Sequence, residues 1–255
     1  MRTNRRPGPL RLSDRGVHRF EEAAIAAADG LVIVSRWMAE DLWRTMPATR
    51  GVPHEVVPNF LPDDWAATVA STGPERTLLA IGRLSSWKNQ AYLLDVLDAA
   101  RRRGHSYTLS LAGTGADEDE LRRRCHELDL DAQVEFCGVR RDIVSLLKSH
   151  RALIHVSRGE SFGIVVIEAM AAGRPIFAAP TGAIPETLRD GVEGWYLPLD
   201  DADAAAAVLV ERLEDDAALA SAAEAGRRRF ESCYRAGVVG GRLRAFLESL
   251  LEDHQ

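Results

Sequence analysis

From residue 77 onward the chain alternates short apolar runs with longer amphipathic ones. The apolar runs TLLAI (77–81), YTLSLA (107–112), VEFCG (134–138), ALIHVS (152–157), PIFAA (175–179) and WYLPL (195–199) read as β-strands. Between them, KNQAYLLDVLDAARRR, DEDELRRRCHEL, DIVSLLKSH, SFGIVVIEAMAA and IPETLRD read as helices. Strands without polar alternation, separated by helices, predict a parallel sheet covered on both faces. The expected fold class is α/β, a doubly wound parallel sheet. Such sheets bind ligands beyond the carboxyl ends of their strands.

The chain before residue 77 has a different rhythm. VHRFEEAAIAAADGLVIVSRWMAEDLWRTM predicts helix, strand, helix, a partial αβα unit of another sheet. One strand cannot stabilise itself, so this unit needs a partner or must pack on the main domain. PHEVVPNFLPDDW follows, with prolines at 53, 58 and 62, and reads as a hinge rather than an element interior. From Asp201 the chain is helical, and Gly237, Gly240 and Gly241 suggest a bend. The expected division is a basic flexible tail (1–16), the αβα remnant (17–50), a linker (51–66), the main domain (67–228) and a C-terminal helix (229–255) packing back toward the N-terminal part.

Composition narrows the function classes. With 46% hydrophobic and 27% charged residues, a chain of 255 residues can form a sizeable core. A net charge of -6 argues against a nucleic-acid partner. No apolar run approaches the roughly 18 residues of a membrane span. The basic N-terminus lacks the apolar stretch of a signal peptide, which leaves at most peripheral contact with an anionic membrane surface. The three cysteines, 125, 137 and 233, fit neither a zinc site nor a redox pair, and a reducing cytoplasm is expected.

Candidate chemistry centres on RGESFGIVVIEAMAAGRPIFA (158–178). From Phe162 to Ala172, Glu168 is the one residue neither apolar nor glycine. If Ser161 is the N-cap, Glu168 sits among apolar neighbours and lies about 10 Å along the helix axis. A carboxylate there requires a bonding partner. Either a structural partner or a ligand would serve. Glu160, at the mouth, complements a helix dipole or contacts the same ligand. The N–H groups of Phe162, Gly163 and Ile164 suit an anion. An extended ligand with a polar group at each end and an anionic middle matches this layout, and a nucleotide sugar is such a ligand. Arg83 and Lys88, after the first strand, are the candidate cations. Lys88 is expected in the first turn of the next helix, and Gly82 permits a tight turn and close backbone approach.

In order, GRLSSWKN, LAGTG, FCGVRRDIVSLLKSHRALIHVSRGESFGIVVIEAMAAGRPIFA and TGAIPETLRDGVEGWYLPLDD resemble the donor-binding domain of the retaining glycosyltransferases of family 4, with the Rossmann-like C-terminal domain of the GT-B fold. The Glu-x7-Glu pair is that family's signature, and the resemblance covers roughly residues 18–250. ADGLVIVSRWMAEDL and VVPNFLPDDW look like the last strand–helix of the family's first domain and its linker. The resemblance implies that Arg83 and Lys88 hold the donor diphosphate and stabilise the leaving nucleotide. Glu168 would bond the ribose hydroxyls. Glu160, with backbone from Phe162 to Ile164, would contact the transferred sugar, and Val139 would lie near the base. It implies a UDP- or GDP-linked donor of a hexose-type sugar, no metal and no other cofactor.

The chain departs from the family pattern where the first domain should be. Only that domain's last piece is present, and His18 lies in the wrong motif context for its sugar-contacting histidine. Phe60 follows PN where glycine is frequent, and TGAIPE has one glycine where two are frequent. Two readings follow: a donor half, from a truncated or split gene, active only with a partner chain supplying the acceptor domain, or a non-catalytic nucleotide-sugar-binding or regulatory subunit; a homo-oligomer is the other expected association. A large exposed apolar surface on residues 17–50 would favour either over a free monomer. A dinucleotide oxidoreductase is rejected, because Gly113-Thr114-Gly115 is followed by Glu118 where a third glycine belongs and by acidic residues that repel pyrophosphate.

Overall fold

The structure, a computed structural model, describes residues 14–65 and 77–252. Residues 1–13 of the expected tail and the expected boundary at 66/67 lie outside them, and residues 14–16 open a helix.

The N-terminal unit runs α1 (Asp14–Ala26), β1 (Leu31–Ile33), α2 (Arg36–Thr45), a 3-10 turn (Pro47–Gly51) and β2 (His54–Val56). β1 and β2 pair in parallel, Leu31 opposite His54. The segment expected to be hinge alone therefore contains a strand. Pro53 and Pro58 flank β2 rather than interrupt it, and Pro53 still accepts from Leu31 N through its carbonyl at 2.8 Å. β1 thus finds its partner within its own unit. Phe20, Val32, Trp37 and Met38 of this unit are exposed.

The main domain continues with β3 (Thr77–Ile81), α3 (Gln90–Arg102), β4 (Thr108–Ala112), α4 (Glu118–Glu127), β5 (Val134–Gly138), α5 (Ile143–Lys148), β6 (Ala152–His155), α6 (Ile164–Ala171), β7 (Ile176–Ala178), α7 (Ile184–Thr187), β8 (Gly194–Tyr196), α8 (Ala202–Leu213), α9 (Asp216–Cys233) and α10 (Ala236–Glu252). Its six strands are all parallel, in the order β5-β4-β3-β6-β7-β8. Both faces are covered, which explains the unbroken apolar runs. Leu78 and Ala80 of β3 join Leu93 and Leu97 of α3 and Leu209 of α8 in one core. Leu79 joins Val166, Ile167 and Met170 of α6 and Phe230 of α9 in the other. The chain moves outward from β3 to β5, then returns to place β6 on the other side of β3. The switch point, where such sheets open a crevice, therefore lies between the carboxyl ends of β3 and β6.

The expected bend at Gly237–Gly241 is not there. The helices break earlier, at Tyr234–Arg235, where Leu61 N donates to Tyr234 O (3.0 Å) and Ala236 N to Leu61 O (2.9 Å). The glycines lie inside α10, and the Gly237 N–H donates to the Asp63 carboxylate. α10 then returns to the N-terminal unit. Arg242 pairs with Glu55 (2.7 Å), and Leu250 packs so close to Gly30 that a Cβ there would sit 2.5 Å away.

Candidate functional site

The site forms from two loops that leave the sheet at its switch point. The first follows β3. Gly113, at φ +145, lets the turn after β4 lie directly on it, since a Cβ would fall 1.9 Å from Gly82 O. Gly115 does the same against Leu84 O. The Gly-Thr-Gly run is thus explained by backbone packing. Gln90, buried at the head of α3, donates to Arg83 O (2.9 Å) and fixes the loop from inside. α3 starts at Gln90 after a left-handed Asn89, so Lys88 lies in the turn before the helix rather than in its first turn. It therefore escapes the dipole conflict that a position inside the helix would impose. Arg83 is exposed, and among the described residues its side chain has no ion-pair or hydrogen-bond partner.

The second loop, residues 156–163, links β6 to α6. Five of its carbonyls are fastened. Ser157 O accepts from Thr181 Oγ1 (2.7 Å), Gly159 O from Trp87 Nε1 (2.8 Å), Glu160 O from Ala183 N (2.8 Å), Ser161 O from Ser35 Oγ (2.7 Å) and Phe162 O from Thr187 Oγ1 (3.2 Å). Gly182 is a glycine because a Cβ would stand 2.1 Å from Glu160 O. With the carbonyls turned into structure, the amides are left over. Among the described residues no acceptor serves the N–H groups of Gly163, Ile164 and Val165. α6 begins only at Ile164, with Gly163 at φ +86 as its N-cap. Ser161 is therefore not the cap, and Glu168 sits on the second turn, about 7.5 Å along the axis from the cap rather than 10. The left-handed glycine resets the helix start, a conformation that serine would not adopt there.

Nor is α6 buried all round. Ile164 is exposed and Val165, Glu168 and Ala172 are half-buried, so the i, i+4 face carrying Glu168 opens outward. Burial raises the pKa of Glu168. Among the described residues its carboxylate has no hydrogen-bond or ion-pair partner. Glu160 is the opposite case. Burial would raise its pKa, but hydrogen bonds from His155 Nε2 (3.1 Å) and Lys88 Nζ (2.6 Å) outweigh this and hold it at about 2. His155 also lies 3.2 Å from Ser157 Oγ. Glu160 and Lys88 are thus in direct contact. Gly82, Ser161, Phe162, Gly163 and Ile164 lie on the same two loops, while Val139 stands exposed at the end of β5 beyond Gly138. His155, Gln90 and Trp87 went unnoticed in the sequence; the one available signal was a histidine inside an otherwise apolar strand.

The N-terminal unit meets this loop. Ser35 caps α2 and bonds Ser161, and the Glu186 carboxylate accepts from Arg36 N (3.0 Å) and Trp37 N (2.6 Å). A cavity of about 230 Å³ lies between the two parts, lined by Ser35, Arg36, Phe162, Glu186, Arg229 and Tyr234 among others. Among the described residues no group of three or more His, Cys, Asp or Glu is placed to hold a metal, and no helix is long and apolar enough to cross a membrane.

The family of group 1 glycosyl transferases matches residues 63–229, more than half of the chain. The chain belongs to this family. Its match is to the C-terminal domain of the family 4, GT-B type. A phosphatidyl-myo-inositol mannosyltransferase of Mycolicibacterium smegmatis is 39% identical over 145 residues, covering 55% of this chain and 37% of that protein. The protein of that name from Mycobacterium tuberculosis is 32% identical over 207 residues, covering 78% and 51%. The chain thus spans about half or less of the length of these relatives. Among solved structures, Anabaena HepE in complex with UDP superposes with a TM-score of 0.82 at 22% identity, over 95% of this chain and 70% of that one. TarM of S. aureus gives 0.79 at 16%, over 92% and 47%. These superpositions establish the fold of the chain.

Proposed function

We propose that this chain is the donor-binding half of a retaining glycosyltransferase, moving a hexose-type sugar from a nucleotide-diphosphate sugar to an acceptor. The observation that carries the proposal is the asymmetry of the 157–162 loop. Its carbonyls are fastened, while three amides at a helix N-terminus, and the Glu168 carboxylate beyond them, have no protein partner among the described residues. Free amides at a helix start favour an anion, and a half-buried carboxylate without a partner favours a hydroxylated ligand. Ribose on Glu168, diphosphate on the amides with Arg83 and Lys88, and sugar at Glu160 match this order, with the base toward Val139. Lys88 has three donors, so it can bond a phosphate oxygen while keeping Glu160.

Glu160 is ionised at any working pH, given a pKa of about 2. It therefore acts as an acceptor for sugar hydroxyls and not as a proton donor. Charge growing on the leaving diphosphate meets fixed cations and amides, which is electrostatic preorganisation without a metal. Retention would follow from attack on the face the leaving group departs from. Transfer needs the acceptor positioned against the donor, and a further domain or chain packed on the N-terminal unit would share in holding it. The exposed Phe20, Val32, Trp37 and Met38 support a partner chain or a second copy there. They equally support the second reading, a nucleotide-sugar-binding or regulatory subunit that performs no transfer. A cytoplasmic location, with at most peripheral contact at the inner membrane face, belongs to the same proposal. Because HepE has been captured with UDP, the uridine series is the first to try.

The test is a pair of calorimetric titrations of Glu160→Gln. Affinity for free nucleoside diphosphate should stay near wild type, and affinity for the matching sugar nucleotide should fall. Equal loss for both ligands would remove Glu160 from the sugar site.

A further inference from the structure

Trp87 is 60% exposed, the most exposed of the five tryptophans. An indole in water is unusual, and one that is also immobilised is more so. Its Nε1 donates to Gly159 O at 2.8 Å, and its own carbonyl accepts from Arg158 N at 2.9 Å. The six-membered ring lies against Gly159 so closely that a Cβ there would stand 2.6 Å away. One hydrogen bond and one glycine thus hold the edge of the ring, the backbone bond fixes its loop, and most of the ring surface stays open. Trp87 immediately precedes Lys88, and Gly159 immediately precedes Glu160, so the platform borders the Lys88–Glu160 pair. The bond to Gly159 O uses only the indole N–H, and leaves the exposed faces of the ring without a packing role.

We propose that Trp87 is a stacking platform for the pyranose ring of the acceptor. This deepens the donor-site reading above and rests on it. A sugar ring presents an apolar C–H face to an aromatic surface, and its hydroxyls stay in water or meet polar neighbours. Exposed Arg158 stands next to the platform to supply donors. The position also separates acceptor from donor. Back along the chain from Glu168 come Gly163, then Glu160, then Gly159 with Trp87. A donor reaching from Glu168 to Glu160 ends before Trp87, so a ring stacked there lies beside the transferred sugar. The base is expected at Val139, after β5 and away from this loop.

The experiment uses the chain as it is, saturated with UDP or GDP, whichever binds. It is titrated with methyl α-D-mannopyranoside and methyl α-D-glucopyranoside, followed by saturation-transfer NMR and by calorimetry. At least one glycoside should bind the nucleotide-loaded wild type. Trp87→Ala should weaken it about tenfold, the size of a lost aromatic stacking contact, and Trp87→Phe should weaken it less. Nucleotide affinity should stay within about twofold in both variants. Equal glycoside affinity in wild type and Trp87→Ala, or no glycoside binding to the nucleotide-loaded wild type, would overturn the platform. Both variants lose the Nε1 bond to Gly159 O, so a Trp87→Phe variant that keeps more glycoside affinity than Trp87→Ala assigns the difference to the ring, and equal loss in both would overturn the platform. Failure of the wild type to bind any nucleotide would instead remove the donor site, a separate outcome read in the first titration.

Discussion

Replacing Glu160 by glutamine removes one charge from a cluster in which a carboxylate meets a lysine and a histidine. Lys88 Nζ and His155 Nε2 both meet Glu160 Oε2, at 2.6 and 3.1 Å. Burial opposes them, yet the carboxyl falls from 4.5 to about 2. At ~1.36 kcal/mol per pH unit this corresponds to about 3 kcal/mol of stabilisation. The folded pKa is depressed, so the contribution is present in full above the unfolded value and is lost as pH falls from about 4.5 toward 2. About 2 kcal/mol of it should be gone at pH 3. Glutamine can accept one hydrogen bond but cannot titrate. Urea unfolding followed by circular dichroism between pH 6 and pH 3 should show wild type and Glu160→Gln converging by about 2 kcal/mol. Two curves that stay parallel over this range would refute the ion cluster.

Further perturbations test the rest of the site. Glu168→Gln should leave the unliganded protein as stable or more stable near neutral pH. The carboxyl's pKa is raised by burial, so its charged form costs stability above that pKa and the cost is relieved as pH falls; a clear loss of stability in urea would mean a structural partner exists. Lys88→Met should weaken nucleoside diphosphate binding about ten- to a hundredfold, the size of a lost charge-assisted bond, and unchanged calorimetric affinity would remove the cation from the phosphate site. Gly182→Ala should cost about 1–3 kcal/mol, because φ is +59 and a Cβ would sit 2.1 Å from Glu160 O; a change under about 0.5 kcal/mol in urea would mean that the loops are not in contact there. Ser35→Ala removes both the cap of α2 and the bond to Ser161 O. It should cost about 1 kcal/mol and speed hydrogen exchange at Ala183, whose N–H bonds Glu160 O beside Ser161, whereas unchanged exchange would separate the N-terminal unit from the loop.

The strands of the main domain were legible because both faces of the sheet are covered, so each strand is an apolar run bounded by turns. The Glu160–Glu168 spacing was legible as an oddity, since an acid in apolar sequence needs a reason. Features that depend on single dihedrals or on distant partners were not. Gly163 at φ +86 moves the start of α6 three residues past Ser161. Left-handed Asn89 excludes Lys88 from α3. β2 was hidden by the prolines that flank it, and the break at Tyr234–Arg235 carries neither glycine nor proline because Leu61 makes it by bridging from 170-odd residues away. His155 reads as part of an apolar strand until the loop after it folds back and brings Glu160 to its ring.

The most direct measurement is a thermal-shift panel of UDP, GDP, their sugar conjugates and NAD on wild type and Glu168→Ala. A ligand at 100 times its Kd adds about 2.7 kcal/mol, a rise of about 5–10 °C in Tm for a chain this size. If the free amides and Glu168 form a donor site, one nucleotide series raises Tm by this amount in wild type and not in Glu168→Ala. Cooperative melting with no shift for any nucleotide, or the same shift in both proteins, would contradict it.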